Sequence, residues 1–188
     1  MSWQPDGWLE GVRWLSSPNF GERPAGLQVS LVVIHNISLP PDQCGGDWVE
    51  DFFLNRLDAA AHPYFSTISD LQVSAHFYIR RDGRVIQFVG CDQRAWHAGQ
   101  SCWGDQDNCN DYSVGIELEG SDYQPYASEQ YAVLWGLLDA LRRRYPIAAI
   151  AGHCHVAPGR KSDPGPYFDW PGLRARYPGL DLPAEISA

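Results

Sequence analysis

Two histidines, a cysteine, a lysine and an aspartate fall within the fifteen residues GHCHVAPGRKSDPGP (152–166), together with three prolines and three glycines. So many chain-breakers argue against a helix or a strand interior and for a loop held in a fixed path. His153 follows the apolar run IAAIAG, and His35 closes another, LQVSLVVIH (27–35). Strand ends in α/β domains open onto the crevice where ligands bind. A catalytic zinc needs three protein ligands and one open position. His35, His153 and Asp163 would make such a set, with Asp163 carried round by the loop. Spacing alone does not select it. His155 is an alternative ligand, a histidine at a strand end is more often structural, and Cys154 would face away from His153 in an extended segment.

Two further groups could act on a substrate beside such an ion. In SVGIELEG (113–120), Val114, Ile116 and Leu118 alternate onto one face, and Gly115, Glu117 and Glu119 onto the other. A carboxylate near an activated water can serve as general base, and Glu117 or Glu119 could take that part. Lys161 is the only lysine beside thirteen arginines. Its compact ammonium could stabilise a developing oxyanion, the alternative being a surface lysine. A cysteine hydrolase built on Cys154 is a rival reading, weakened because His153 and His155 would face away from the thiol.

The elements that must position these groups follow from pattern. The run 27–35 reads as a buried central strand. DWVEDFFLNRLD (47–58) reads as a short helix with Asp47 as its cap. VSAHFYIRRDGRVIQFV (73–89) reads as two strands joined by a tight turn at Asp82-Gly83. Residues 113–120 form another strand. ASEQYAVLWGLLDALRRRYP (127–146) is an amphipathic helix, with Ser128 at its start, arginines at its end and Pro146 as its stop. FDWPGLRARY (168–177) is a last short helix. Residues 1–27 read as an irregular arm before a 28–170 core. The polar stretch 90–112 is long enough to be functional, and it is expected to cover the site and to differ between free and bound states. The fold expected is a single α/β domain with a mixed central sheet flanked by helices.

Composition narrows the function. The 188 residues carry a formal charge of −9, which argues against nucleic-acid binding. No apolar run approaches the ~20 residues of a membrane span, so no membrane partner is expected. The start, MSWQPDGWLEGVRW, lacks the features of a secretory signal, and five cysteines are an odd number for a disulfide framework. A cytoplasmic protein with free thiols is expected. Trp96, Trp103 and Tyr64 are candidates for stacking on a ligand.

The blocks VVIHNIS, AHPYF, VSAHFYIRRDG, RAWHAG, CNDYSVGIELEG and GHCHVAPGRKSDPGPYFDW together resemble the zinc-dependent N-acetylmuramoyl-L-alanine amidase family, in its order and over roughly residues 30–170. They are most similar to the cytosolic members acting on 1,6-anhydro-muropeptides. Peptidoglycan recognition proteins share that fold. The resemblance implies one Zn²⁺ held by His35, His153 and Asp163. Glu117 would be the general base and Lys161 the transition-state stabiliser. Asn36, Trp96 and Arg160 would be substrate-facing, and His155 would not be a ligand. The substrate implied is a small anhydro-N-acetylmuramyl-peptide, acted on by a monomer in peptidoglycan recycling. A non-catalytic muropeptide sensor of the same fold is the alternative, and the complete ligand set argues against it. Where close relatives carry arginines for acidic groups of the stem peptide, this chain has Gln72 and Asn108, so those groups are expected to be gripped less, or by Arg84 or Arg94 instead.

Overall fold

The apolar, β-branched runs form the centre of a sheet, and the periodic run near the C-terminal third forms the helix that covers one side of it. The computed structural model describes residues 2–184. In chain order the strands are β1 (Arg13–Trp14), β2 (Phe20–Gly21), β3 (Leu31–Ile37), β4 (Phe77–Ile79), β5 (Val85–Gln87), β6 (Arg94–Ala95), β7 (Cys102–Trp103), β8 (Gln106–Asp107), β9 (Ser113–Glu119) and β10 (Ala149–Gly152). The helices are α1 (Trp48–Phe53), α2 (Ser128–Arg144), α3 (His153–Val156) and α4 (Trp170–Arg176). Among these residues no helix is long and apolar enough to cross a membrane.

Six strands make one mixed sheet in the order β1-β5-β4-β9-β3-β10. The pairs β4–β9, β9–β3 and β3–β10 are parallel, while β4–β5 is the antiparallel hairpin expected at Asp82-Gly83. Alternation along the central strands sorts their side chains. Val32, Ile34, Val114, Ile116 and Leu118 pack with Leu134, Leu137, Leu138 and Leu141 of α2. Leu31 and Val33 point to the other face, where Tyr112, Cys109 and Val156 cover them. Parallel strands covered on both faces are expected to be apolar throughout, so polar residues among them stand out. His35 and Glu117 are such residues, and both are buried.

Helix α2 starts one residue away from the expected cap. Ala127 is the N-cap, and the Gln130 side chain takes the Ala127 N–H at 3.0 Å. The Gln130 amide then donates to the Ile79 and Glu119 carbonyls, which fixes α2 to the ends of β4 and β9. Asp47 precedes α1 but makes no cap hydrogen bond. Its carboxylate accepts from Arg80 instead, at 3.0 Å, a charge-assisted bond that outcompetes a local one. The first 27 residues are not wholly irregular. β1 adds a parallel edge to β5 and β2 pairs with β6, because the open side of β5 offers unpaired carbonyls such as that of Gln87 to Leu15.

Gly115, in the middle of β9, is required by packing. A Cβ there would lie 2.5 Å from Cγ of His97, whose ring lies against the strand at this point. Gly115→Ala is expected to destabilise the protein by about 1–3 kcal/mol, the usual cost of overpacking. Thermal unfolding would read this as a drop of about 2–4 °C for each kcal/mol; an unchanged Tm would show that the ring moves freely.

Candidate active site

Strand register brings the reactive groups to one level. His35 of β3 lies directly opposite Glu117 of β9. β10 ends at Gly152, opposite Ile34, so the next residue, His153, reaches the level of His35. His153 is not the end of a strand as expected. The strand stops one residue earlier and His153 opens the single-turn α3, where the Gly152 N–H donates to His155 Nδ1 at 2.9 Å. The loop that follows then turns back. Cys154 N donates to the Asp163 carbonyl (2.8 Å) and the Tyr126 hydroxyl to that of Pro164 (2.6 Å), which returns Asp163 to the histidines.

Three ligand atoms converge. His35 Nδ1 and His153 Nδ1 are 2.9 Å apart, and each is 3.1 Å from Asp163 Oδ2. The distant ring nitrogens decide what those atoms present. His153 Nε2 faces the Ala98 carbonyl at 3.1 Å, and a carbonyl only accepts, so in the neutral ring the proton is on Nε2 and Nδ1 offers a lone pair. His35 Nε2 meets His97 Nδ1 at 3.0 Å, and His97 Nε2 meets Ser113 Oγ at 3.2 Å, a chain through which His35 can take the same tautomer. Two lone pairs and a carboxylate aimed at one another call for a cation between them. Their separations are close to roughly 3.3 Å, the edge of a tetrahedron with the ~2.0–2.1 Å bonds of zinc. Two nitrogens and one oxygen are also a zinc-type donor set, so the residues fit that ion.

Electrostatics agree with ligation. Burial, reinforced by His153, pushes His35 down to about 4 despite the pull of Asp163, so it is neutral near pH 7. Burial alone would raise Asp163, but its two histidine neighbours, His153 and His35, outweigh it and hold the carboxyl well below the usual carboxylate range. Glu117 behaves oppositely. Burial, then the charge of Asp163, raises its carboxyl well above the ordinary value, with Lys161 opposing. Its Oε1 is 4.0 Å from His35 Nδ1, and its buried Oε2 has no hydrogen-bond partner among the described residues. A cleft of about 400 Å³ opens over these groups.

A family model described as N-acetylmuramoyl-L-alanine amidase matches residues 25–166. The chain belongs to the N-acetylmuramoyl-L-alanine amidase family. It is 50% identical to the 1,6-anhydro-N-acetylmuramyl-L-alanine amidase AmpD of Citrobacter freundii over 172 residues, 90% of this chain and 92% of the relative. A crystal structure of a selenomethionine AmpD derivative superposes with a TM-score of 0.90 at 50% identity, covering 93% of this chain and 98% of that one. A more distant structure, the amidase AmiD of E. coli in complex with the substrate anhydro-N-acetylmuramic acid-L-Ala-D-γ-Glu-L-Lys, is 28% identical. It gives a TM-score of 0.60, covering 85% of this chain and 62% of that one.

Against this family frame the expected residues fall into two groups. Asn36, Trp96, Lys161 and Tyr64 line the cleft with the metal-type triad and Glu117, and Asn36 donates to Asp122 at 2.8 Å. Arg160 does not. Its Nη2 donates to the Ala98 and Gln100 carbonyls, both at 2.6 Å. A guanidinium whose Nη2 is held by two fixed carbonyls anchors a loop. Arg84 is paired with Asp82 and Arg94 with Asp111, and neither lines the cleft. Trp103 donates to Asp181 and packs beneath the sheet. Cys154 lies 3.6 Å from His155 Nδ1, but that nitrogen already accepts from Gly152, so it is no base for a thiol. Glu119 accepts from the Gly45 and Arg81 backbone, which leaves Glu117 as the free carboxylate. The sequence reading missed His97 and Ser113; the signal available was a histidine in RAWHAG and a glycine breaking the apolar run of β9.

A carboxyl whose pKa rises on folding contributes full stability below its unfolded value near 4.5, lost as pH climbs toward the folded value. Glu117→Gln is therefore expected to be near neutral for metal-free protein at pH 4. At pH 7 it should stabilise by about 1–3 kcal/mol, the cost of a buried unsatisfied group. Denaturant unfolding at both pH values checks this, and equal effects at the two would contradict it.

Proposed function

We propose that this chain is a zinc-dependent amidase. It would cleave the bond between the lactyl group of (1,6-anhydro-)N-acetylmuramic acid and the L-alanine of the stem peptide, in cytoplasmic peptidoglycan recycling. The observation that carries the reading is the convergence of His35 Nδ1, His153 Nδ1 and Asp163 Oδ2 beside an unpartnered, buried Glu117. The identity to AmpD over nine-tenths of the chain supports the substrate class. The AmiD complex supports a muropeptide bound on this fold. A monomer is proposed.

His35, His153 and Asp163 would hold one Zn²⁺, which when bound acidifies a water and polarises a carbonyl. Trp96 and Tyr64 offer aromatic faces to the sugar, and Asn36, held by Asp122, offers a fixed polar edge. Glu117 takes a proton from the attacking water as the new C–O bond forms at the lactyl carbonyl. A carboxyl with a raised pKa is suited to accept that proton and then release it. Lys161, on the same cleft wall, neutralises the oxyanion of the tetrahedral intermediate. Glu117 then returns the proton to the alanine nitrogen as the C–N bond breaks, releasing the peptide as a free amine.

Anhydro-N-acetylmuramyl-tripeptide offered to chelator-stripped protein should stay intact, and one equivalent of zinc should restore release of the free peptide, read by mass spectrometry. Lys161→Ala is expected to keep its zinc and lose about 10²–10³ in kcat. Turnover by stripped protein would remove the metal from the reaction, and wild-type turnover by Lys161→Ala would remove the lysine.

A further inference from the structure

The long polar segment 90–112 carries β6, β7 and β8; Trp96 and His97 line the cleft, while Ala98, Trp103, Cys109 and Tyr112 pack against the sheet behind the histidines. Two consecutive residues of it meet the two histidines from the rear: His35 Nε2 is 3.0 Å from His97 Nδ1, and His153 Nε2 donates to the Ala98 carbonyl at 3.1 Å. One buried side chain holds both. Oδ1 of Asn110 accepts the backbone N–H of His97 (3.1 Å) and of Ala98 (2.8 Å). The His97 ring is fixed further by Ser113 Oγ at its far nitrogen and by the slot that Gly115 leaves.

The support is itself braced from two sides. Arg23 donates to the carbonyls of Cys91, Asn110, Asp111 and Ser113 at 2.8–3.0 Å. Arg160 donates to the Ala98 carbonyl, the same oxygen that receives His153. Histidine ligands need a partner at the second nitrogen to set tautomer and ring direction, and losing that partner typically lowers metal affinity by about 10–100-fold. From these contacts we infer that His97 and Asn110 are positioning residues of the metal centre: His97 orients His35 directly, and Asn110 orients both ligands by fixing His97 and the Ala98 carbonyl.

This rests on the metal reading above, and its test reads the metal and not turnover. Zinc affinity is measured by chelator competition on the full chain, for wild type, His97→Phe, Asn110→Ala and Asn110→Asp, each first shown to unfold cooperatively. His97→Phe and Asn110→Ala should bind zinc about 10–100-fold more weakly. Asn110→Asp keeps the accepting oxygen and should restore near wild-type affinity, a rescue that loss of general stability would not show. Unchanged affinity in folded His97→Phe, or Asn110→Asp binding as weakly as Asn110→Ala, overturns the inference while leaving the amidase reading in place. Should Asn110→Ala fail to fold, His97→Phe decides by the same criterion. A wild type that binds no zinc overturns both.

Discussion

The pairing of β3 with β9 on one side and β10 on the other sets the level at which His35, Glu117 and His153 meet, and the rest of the site is built around that register. Side chains alternate along a strand, so a slip of one residue in β9 would send Glu117 into the α2 layer and bring an apolar neighbour to the metal-type cluster. Apolar packing resists such a slip. Val114, Ile116 and Leu118 are fully buried beneath α2, and none could be exchanged for a glutamate without a large penalty. The core therefore specifies the active site through the parity of the strand.

Holding these groups in place opposes stability. Two imidazole nitrogens and a carboxylate oxygen crowd within about 3 Å of one another, and Glu117 is buried with an unsatisfied oxygen. Local conflicts of this kind gather at functional sites. A divalent cation would relieve the first by giving the lone pairs a common partner, and a proton in transit would relieve the second. The surrounding contacts are cooperative by contrast: each histidine has its second nitrogen engaged, and Asp163 is returned by the Cys154 N–H on its own carbonyl and the Tyr126 hydroxyl on that of Pro164.

Much of this was legible in the sequence. Period-two alternation gave the correct faces of residues 113–119, and the 3.6-residue period located α2 within a residue or two. The ligand set was open on spacing alone, because His155 is as near in sequence as His153; the family's motif order selected among them. What pattern could not show is where side chains go when they leave local structure. Asp47 abandons its helix for Arg80, Arg160 turns to backbone carbonyls, and residues 98–112 pack against the sheet behind the histidines. Each depends on partners dozens of residues away, for which local periodicity carries no signal.

The division of labour between arginine and lysine has a physical reading. Arginines throughout the fold are tied to fixed acceptors: Arg23 to four carbonyls, Arg80 to Asp47 and Glu50, Arg94 to Asp111, Arg144 to Asp92 and Arg176 to Asp139. A planar fork with five donors gains most from such static sites. The cleft wall instead carries the sole lysine, which opposes the upward shift of the Glu117 carboxyl. An ammonium on a flexible stem can follow an oxygen as its charge grows and release it afterwards, which a guanidinium locked into carbonyls cannot do. In a chain of net charge −9, the proposed amidase reaction would draw its local positive field from Lys161 and from a cation held by His35, His153 and Asp163.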